Sequence, residues 1–242
     1  GLSSFSFLNS DPRGGLAIAT ASPALVVDNS IRIWDLNSNR FCRVFREHEF
    51  PVKSVSSHSS DGIFLSTSTD NVTHIWDTRA DGASIAKMSG LCAFDGKYGS
   101  NLFAASSGRQ ISVFDLRKIE TRVSQFQFNT EVDELVFQND KIVLGSQKLG
   151  TITTLASNTG KMISLYFVKP TKKLRVAISA CSNYALANVS NNQIDIWDIH
   201  TRIKIRSLAG HGGPPIAKFS PKHTLIASVS LPLALWVPIV NS

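Results

Sequence analysis

One strand ending recurs along the whole chain. It reads Ile-Arg-Ile-Trp-Asp at 31–35, Thr-His-Ile-Trp-Asp at 73–77, Ile-Ser-Val-Phe-Asp at 111–115 and Ile-Asp-Ile-Trp-Asp at 194–198. Two degraded copies, Ile152-Thr-Thr-Leu-Ala156 and Leu233-Ala-Leu-Trp-Val237, fill the series. The copies end at 35, 77, 115, 156, 198 and 237, so the intervals are 42, 38, 41, 42 and 39. A strand returning about every 40 residues implies one small sheet per repeat. A single such sheet cannot bury both of its faces, so successive sheets must stack on one another.

Short β-like runs separated by turn formers fill each interval. Phe5–Phe7, Leu16–Ala19, Ile31–Trp34 and Phe41–Phe45 read as a first set of four strands. Val52–Ser56, Ile63–Ser66, Val72–Trp76 and Ser84–Met88 form a second. Gly90–Phe94, Leu102–Ala105, Ile111–Phe114 and Ser124–Phe128 form a third; Val132–Phe137, Ile142–Leu144, Gly150–Leu155 and Lys161–Leu165 a fourth. Leu174–Ser179, Tyr184–Val189, Gln193–Trp197 and Ile203–Leu208 make a fifth, while Ile216–Phe219, Leu225–Ser228 and Leu233–Val237 leave the sixth one strand short. No segment reads as a long amphipathic helix, and the longest irregular piece is Asp11–Asn29.

This period, with strands closing on Trp-Asp, resembles the WD40 repeat, whose fold is an all-β propeller. The expectation is one domain over residues 1–242, with six blades and no closing strand in the last. Open strand edges invite aggregation, so a propeller has to close. The pattern therefore predicts that a blade and the closing strand precede Gly1, giving about seven blades in the intact ring. The opening Gly1-Leu2-Ser3, with neither an initiator Met nor a signal pattern, suits a start that lies further upstream.

No apolar run reaches the roughly 18 residues that span a membrane, so no membrane partner is expected. Cys42, Cys92 and Cys181 are odd in number and far apart, which fits buried or half-buried thiols rather than a disulfide framework or a zinc site. The net charge of +7 suits an acidic partner, with direct nucleic-acid binding as a weaker reading.

His48, Asp70 and Trp76, with Ser66 or Ser68 between them, invite a Ser-His-Asp reading. A structural hydrogen-bond network holding the strands of a blade accounts for them better. His211 is the equivalent histidine of the last blade, where the turn aspartate is lost; that blade is expected to rely on packing of Trp236 and its apolar neighbours. Gly210-His-Gly-Gly-Pro lacks the lysine and helix of a phosphate loop. No His-Glu-x-x-His or Cys-x-x-Cys occurs, and four aspartates belong to the repeat, so neither catalytic residues, a cofactor nor a metal is expected. Lys169, Lys172, Lys173 and Arg175 form the densest basic cluster. Arg40, Arg43 and Arg46 flank or interrupt the apolar run of an outer strand. Lys172, Lys173, Arg175 and Arg43 are the candidate partner-binding residues.

A closer resemblance rests on the C-terminal segment Phe219-Ser-Pro-Lys222, Ile226-Ala-Ser228 and Leu235-Trp-Val-Pro238. It is similar to the ending of the small WD-repeat subunit shared by COMPASS-type histone-lysine methyltransferase complexes and nuclear type-1 protein phosphatase complexes. Asp28–Arg32 through Arg43–Phe45 resembles that family's second blade. Phe64–Ser68 with Ile75–Asp77 resembles the third, and Cys92–Asp95, Leu102–Ala105 and Phe114–Arg117 the fourth. Ala156 departs from the family's usual aspartate, and Asp11–Asn29 is longer than its corresponding connection. The resemblance implies a nuclear, non-catalytic adaptor. Its partners would be a methyltransferase subunit, a phosphatase-targeting subunit and the C-terminal repeats of RNA polymerase II, and a similar fungal protein sits in the 3'-end processing machinery. A WD40 adaptor of ribosome assembly or of a ubiquitin ligase, or an RNA-binding propeller, are the rival readings.

Overall fold

The computed structural model describes residues 2–8, 16–21, 28–59, 62–80, 82–169, 174–220, 223, 225–230 and 233–237; for 2–5, 7, 16–21 and 191 the backbone alone is described. Contacts gather into two compact units, Gly1–Ser107 and Gly108–Ser242.

The first unit opens with β1 (Leu2–Phe7), β2 (Leu16–Ala21), β3 (Ile31–Asp35) and β4 (Arg40–Phe45), which form a sheet in that order. β5 (Val52–Ser57), β6 (Ile63–Ser68), β7 (Val72–Asp77) and β8 (Ala86–Ser89) form the next. The unit ends with the hairpin β9 (Leu91–Phe94) and β10 (Leu102–Ser107). The second unit opens with the hairpin β11 (Gln110–Asp115) and β12 (Lys118–Gln127). β13 (Glu134–Gln138), β14 (Lys141–Ser146), β15 (Thr151–Ala156) and β16 (Met162–Phe167) follow. Then come β17 (Val176–Ile178), β18 (Tyr184–Val189), β19 (Gln193–Asp198) and β20 (Lys204–Leu208). β21 (Ile216–Phe219), β22 (Ile226–Val229) and β23 (Leu233–Trp236) make a last sheet of three strands. The described strands thus form six sheets, all antiparallel where their pairing is recorded, with one 3-10 turn at Ser190–Asn192. This is the all-β propeller class, built from blades of the kind the repeat implies.

Each sheet is a meander because its turns are short and carry the right residues. Asn39, Asn71 and Asn139 take left-handed φ angles of 53°, 62° and 55° between paired strands, a conformation asparagine tolerates better than most side chains. The aspartate that closes each repeat ends its strand through its carboxylate. Asp35, Asp77, Asp115 and Asp198 each accept a hydrogen bond from the backbone N–H two residues on, at 2.9, 2.8, 2.9 and 2.8 Å. Ala156 has no carboxylate, yet its turn keeps the bonds Ala156 N to Lys161 O and Gly160 N to Ala156 O, the same pair that Asp198 makes with Ile203 and Arg202.

Packing is between neighbouring sheets. In the first unit, Ile31, Ile33 and Phe45 of one sheet meet Val52, Phe64 and Trp76 of the next. In the second, Val143, Ile152 and Tyr166 meet Val176, Ala185 and Trp197, and Leu186, Ile194 and Leu208 meet Ala217. β14 is buried along its full length, as the central strand of a covered sheet must be. The first strands of successive sheets lie side by side, β1 near β5 and β13 near β17. β2 lies within Asp11–Asn29, and its flanks fall outside the described residues.

Candidate functional site

The candidate Ser-His-Asp set resolves into two separate devices. His48 Nε2 lies 2.6 Å from Ser66 Oγ, and Trp76 Nε1 donates to the same oxygen at 2.7 Å. Trp76 is a donor only, so the Ser66 oxygen accepts from it and keeps its proton and a second lone pair for His48. Burial, reinforced by the neighbouring His74 charge, lowers the His48 pKa from the ordinary 6.5 to about 4. Asp70 lies outside this triad. It accepts from the Ser68 hydroxyl and from Val72 N, and so shapes the β6–β7 turn.

More polar groups continue the network than the sequence reading named. His74 stacks on Trp76 with ring centroids 5.3 Å apart, and its Nδ1 is 3.2 Å from Glu47 Oε2. Ser84 donates to Glu47 through its hydroxyl at 2.6 Å and its backbone N–H at 3.0 Å. Thr73 donates to Gly90 O at 2.7 Å and takes up Thr67 as a partner at 2.7 Å. The triad recurs in the last sheet: Trp236 Nε1 donates to Ser228 Oγ at 2.7 Å, and His211 Nε2 is 3.2 Å from that oxygen. The hydrogen bonds there survive the loss of the turn aspartate. Ser66 and Ser228 sit at equivalent places on the second strands of their sheets. A histidine before the sheet and a Trp on its third strand are the sequence signals that could have singled out these serines.

As chemistry, the triad offers little. Ser66 and Trp76 have no exposed surface, so no substrate reaches the hydroxyl. A buried hydroxyl bonded on both sides holds strands together. Among the described residues no group of three or more His, Cys, Asp or Glu could hold a metal ion. Cys42 and Cys181 are exposed and Cys92 is half-buried, which corrects the expectation of sheltered thiols for the first two. Burial pushes the Cys92 thiol up to about 12, far from a reactive thiolate.

Of the partner-binding candidates, Arg43 and Arg175 are among the described residues. Lys172 and Lys173 lie outside the described residues. Arg175 is tied to Glu134 Oε1 at 2.6 Å, so its charge is already matched. Arg43 sits on β4, exposed, and donates through Nη1 to Ala80 O at 2.8 Å. With Val44, Phe45 and Gly82 it lines a shallow depression. A second depression lies between Phe167, Lys169, Gln193 and Lys204.

The model of the WD domain, G-beta repeat, matches residues 39–77, from the turn before β4 through the end of β7. The chain thus carries a WD40 repeat on an all-β fold of the propeller class. It is 27% identical over 227 residues to WD repeat-containing protein 82 of Drosophila melanogaster, covering 88% of the chain and 71% of that protein. The Set1 complex component swd2 of Schizosaccharomyces pombe is 32% identical over 103 residues, 40% of the chain and 28% of that protein. Protein ANTHESIS POMOTING FACTOR 1 of Arabidopsis thaliana is 22% identical over 223 residues, 86% of the chain and 66% of that protein. WD-repeat propellers are generally non-catalytic and adaptor-like, and no enzyme family is indicated.

Proposed function

We propose that this protein is a non-catalytic adaptor of a nuclear chromatin or transcription complex. It joins a COMPASS-type histone-lysine methyltransferase, a type-1 phosphatase assembly, or both, to transcribing RNA polymerase II. The observation that carries this reading is the similarity to a Set1 complex component, supported by a relative aligned along most of the chain. The geometry supports it in outline: buried polar triads stiffen the blades, and exposed outer strands remain for extended segments to dock on.

The test is affinity purification of the full-length protein from nuclear extract at moderate salt, with mass spectrometry of what stays bound. Methyltransferase or phosphatase-targeting subunits are the expected result. Ribosome-assembly factors, ubiquitin-ligase parts or RNA alone would overturn it.

A further inference from the structure

The outer strand β4 differs from an ordinary sheet edge in how its residues are sorted. Among the described residues it ends its sheet and pairs only with β3. Arg40 to Val44 are all exposed at the rim of the sheet, while Phe45 at the strand's end packs against the next sheet. The register with β3 shifts between Ile33 and Trp34, leaving Cys42 as the extra residue. That bulge sorts the side chains. Phe41 and Val44 stand opposite Trp34 and Arg32 on one face. Arg40, Arg43 and Phe45 stand opposite Asp35, Ile33 and Ile31 on the other.

The first face is apolar at the edge. Phe41 is 58% exposed and Val44 38%. Phe41 lies 6.1 Å from the Trp34 ring, and the Arg32 guanidinium is 5.7 Å from its centroid. The second face carries Ile31, Ile33 and Phe45 into the packing against the next sheet and presents Arg40 and Arg43 at its exposed rim. The nearby carboxylates are already engaged: Asp35 by the backbone of Asn37 and by Ser38, Asp77 by Arg79, Glu47 by Ser84 and His74. Among the described residues, Arg40, Arg43 and Arg46 are in no ion pair. Arg43 also borders the depression with Val44, Phe45 and Gly82, beside the free edge.

We propose that β4 is a docking edge for an extended peptide segment that alternates apolar and acidic residues. The segment adds as a fifth strand through main-chain hydrogen bonds. Its carboxylates face Arg40 and Arg43, and its apolar side chains cover Phe41 and Val44. Main-chain pairing supplies affinity without sequence preference, and the two faces supply the register. A charge-assisted arginine–carboxylate bond is among the stronger polar contacts available at a surface. Charge alone would only keep other edges away; the apolar face on the same strand is what gives a partner something to bury. The proposal rests on the adaptor reading and names the chemistry of the partner at one place.

The test uses the whole chain and a fluorescent synthetic peptide of about six alternating Val and Glu residues, followed by anisotropy. Arg40→Glu with Arg43→Glu should weaken binding by about tenfold or more, with an unchanged circular dichroism spectrum. Arg206→Glu, on the outer strand β20, should leave it unaltered. A peptide N-methylated along the edge that pairs with β4 should lose binding equally. Equal binding of the N-methylated peptide, an equal loss from Arg206→Glu, or tighter binding of an RNA oligonucleotide at the same arginines would each overturn the proposal. Purification of the wild type and the double variant from nuclear extract separates the two readings. If chromatin subunits are recovered undiminished with the variant, the adaptor stands and the docking edge falls. If the peptide binds as expected while no chromatin subunit is recovered, the edge stands and the adaptor reading falls.

Discussion

At the scale of single residues, buried polar groups carry more of the specification than their number suggests. Ser66 is bonded by both His48 and Trp76, so Ser66→Ala strands two buried groups at once. The expected loss is roughly 1–3 kcal/mol, read from the urea midpoint with an unchanged slope. The same triad makes stability depend on pH. An unfolded chain protonates His48 near 6.5, whereas the folded chain does so only near 4. Between those values the unfolded state holds the extra proton, so stability rises with pH there and is lost as pH falls from about 6.5 towards 4. Burial lowers His74 as well, in the same direction. We expect roughly 2 kcal/mol less stability at pH 4.5 than at pH 7, and a smaller loss in His48→Gln. Equal urea midpoints at the two pH values would contradict the neutral, buried ring. The aspartates held low by Ser68 or Arg117 act only below that window, because their ordinary value is already 3.8.

Strands and turns tell how far sequence alone reaches. The alternating runs located nearly every strand, because a half-covered sheet demands that pattern. β12 begins at Lys118, well before the expected Ser124, because its first turns are exposed and carry no apolar period. β17 shrinks to Val176–Ile178, and Arg175 next to it is drawn into pairing with Glu134. That contact bridges two successive sheets between residues 41 apart in the chain, so no local spacing announces it. The histidine and the tryptophan of each triad were legible; the serine between them was one of several, and only the register selects it. Gly90 offers a sharp test at this scale. Its φ is 101°, and a Cβ there would lie 1.5 Å from Ser106 O. Gly90→Ala must therefore move the backbone between β8 and β9, with a loss of at least about 2 kcal/mol by denaturant titration. Trp197, stacked on Tyr166 with centroids 5.1 Å apart, ties β19 to the preceding sheet. Trp197→Ala should cost roughly 3–5 kcal/mol, and a negligible change would mean that β19 packs elsewhere.

For the molecule as a whole, excess positive charge is the broadest feature that bears on partners. At +7 the protein attracts acidic chains of any kind, but an attraction spread over the surface fades with salt. Lys172→Glu with Lys173→Glu should therefore weaken capture of an acidic or phosphorylated partner while leaving thermal unfolding unchanged; undiminished capture by the folded variant would remove those two lysines from the partner contacts. RNA should be held weakly and without preference, which a filter-binding series over salt would show directly. The fourth sheet has a different consequence. Its buried strands, β14 and β15, are among the most completely covered in the chain, yet it possesses neither the tryptophan nor the aspartate of the repeat. Its closing turn keeps the backbone bonds that the turn after Asp198 also makes, so the blade is built without the carboxylate. A ruler marked only in Trp-Asp would therefore pass over a fully built blade.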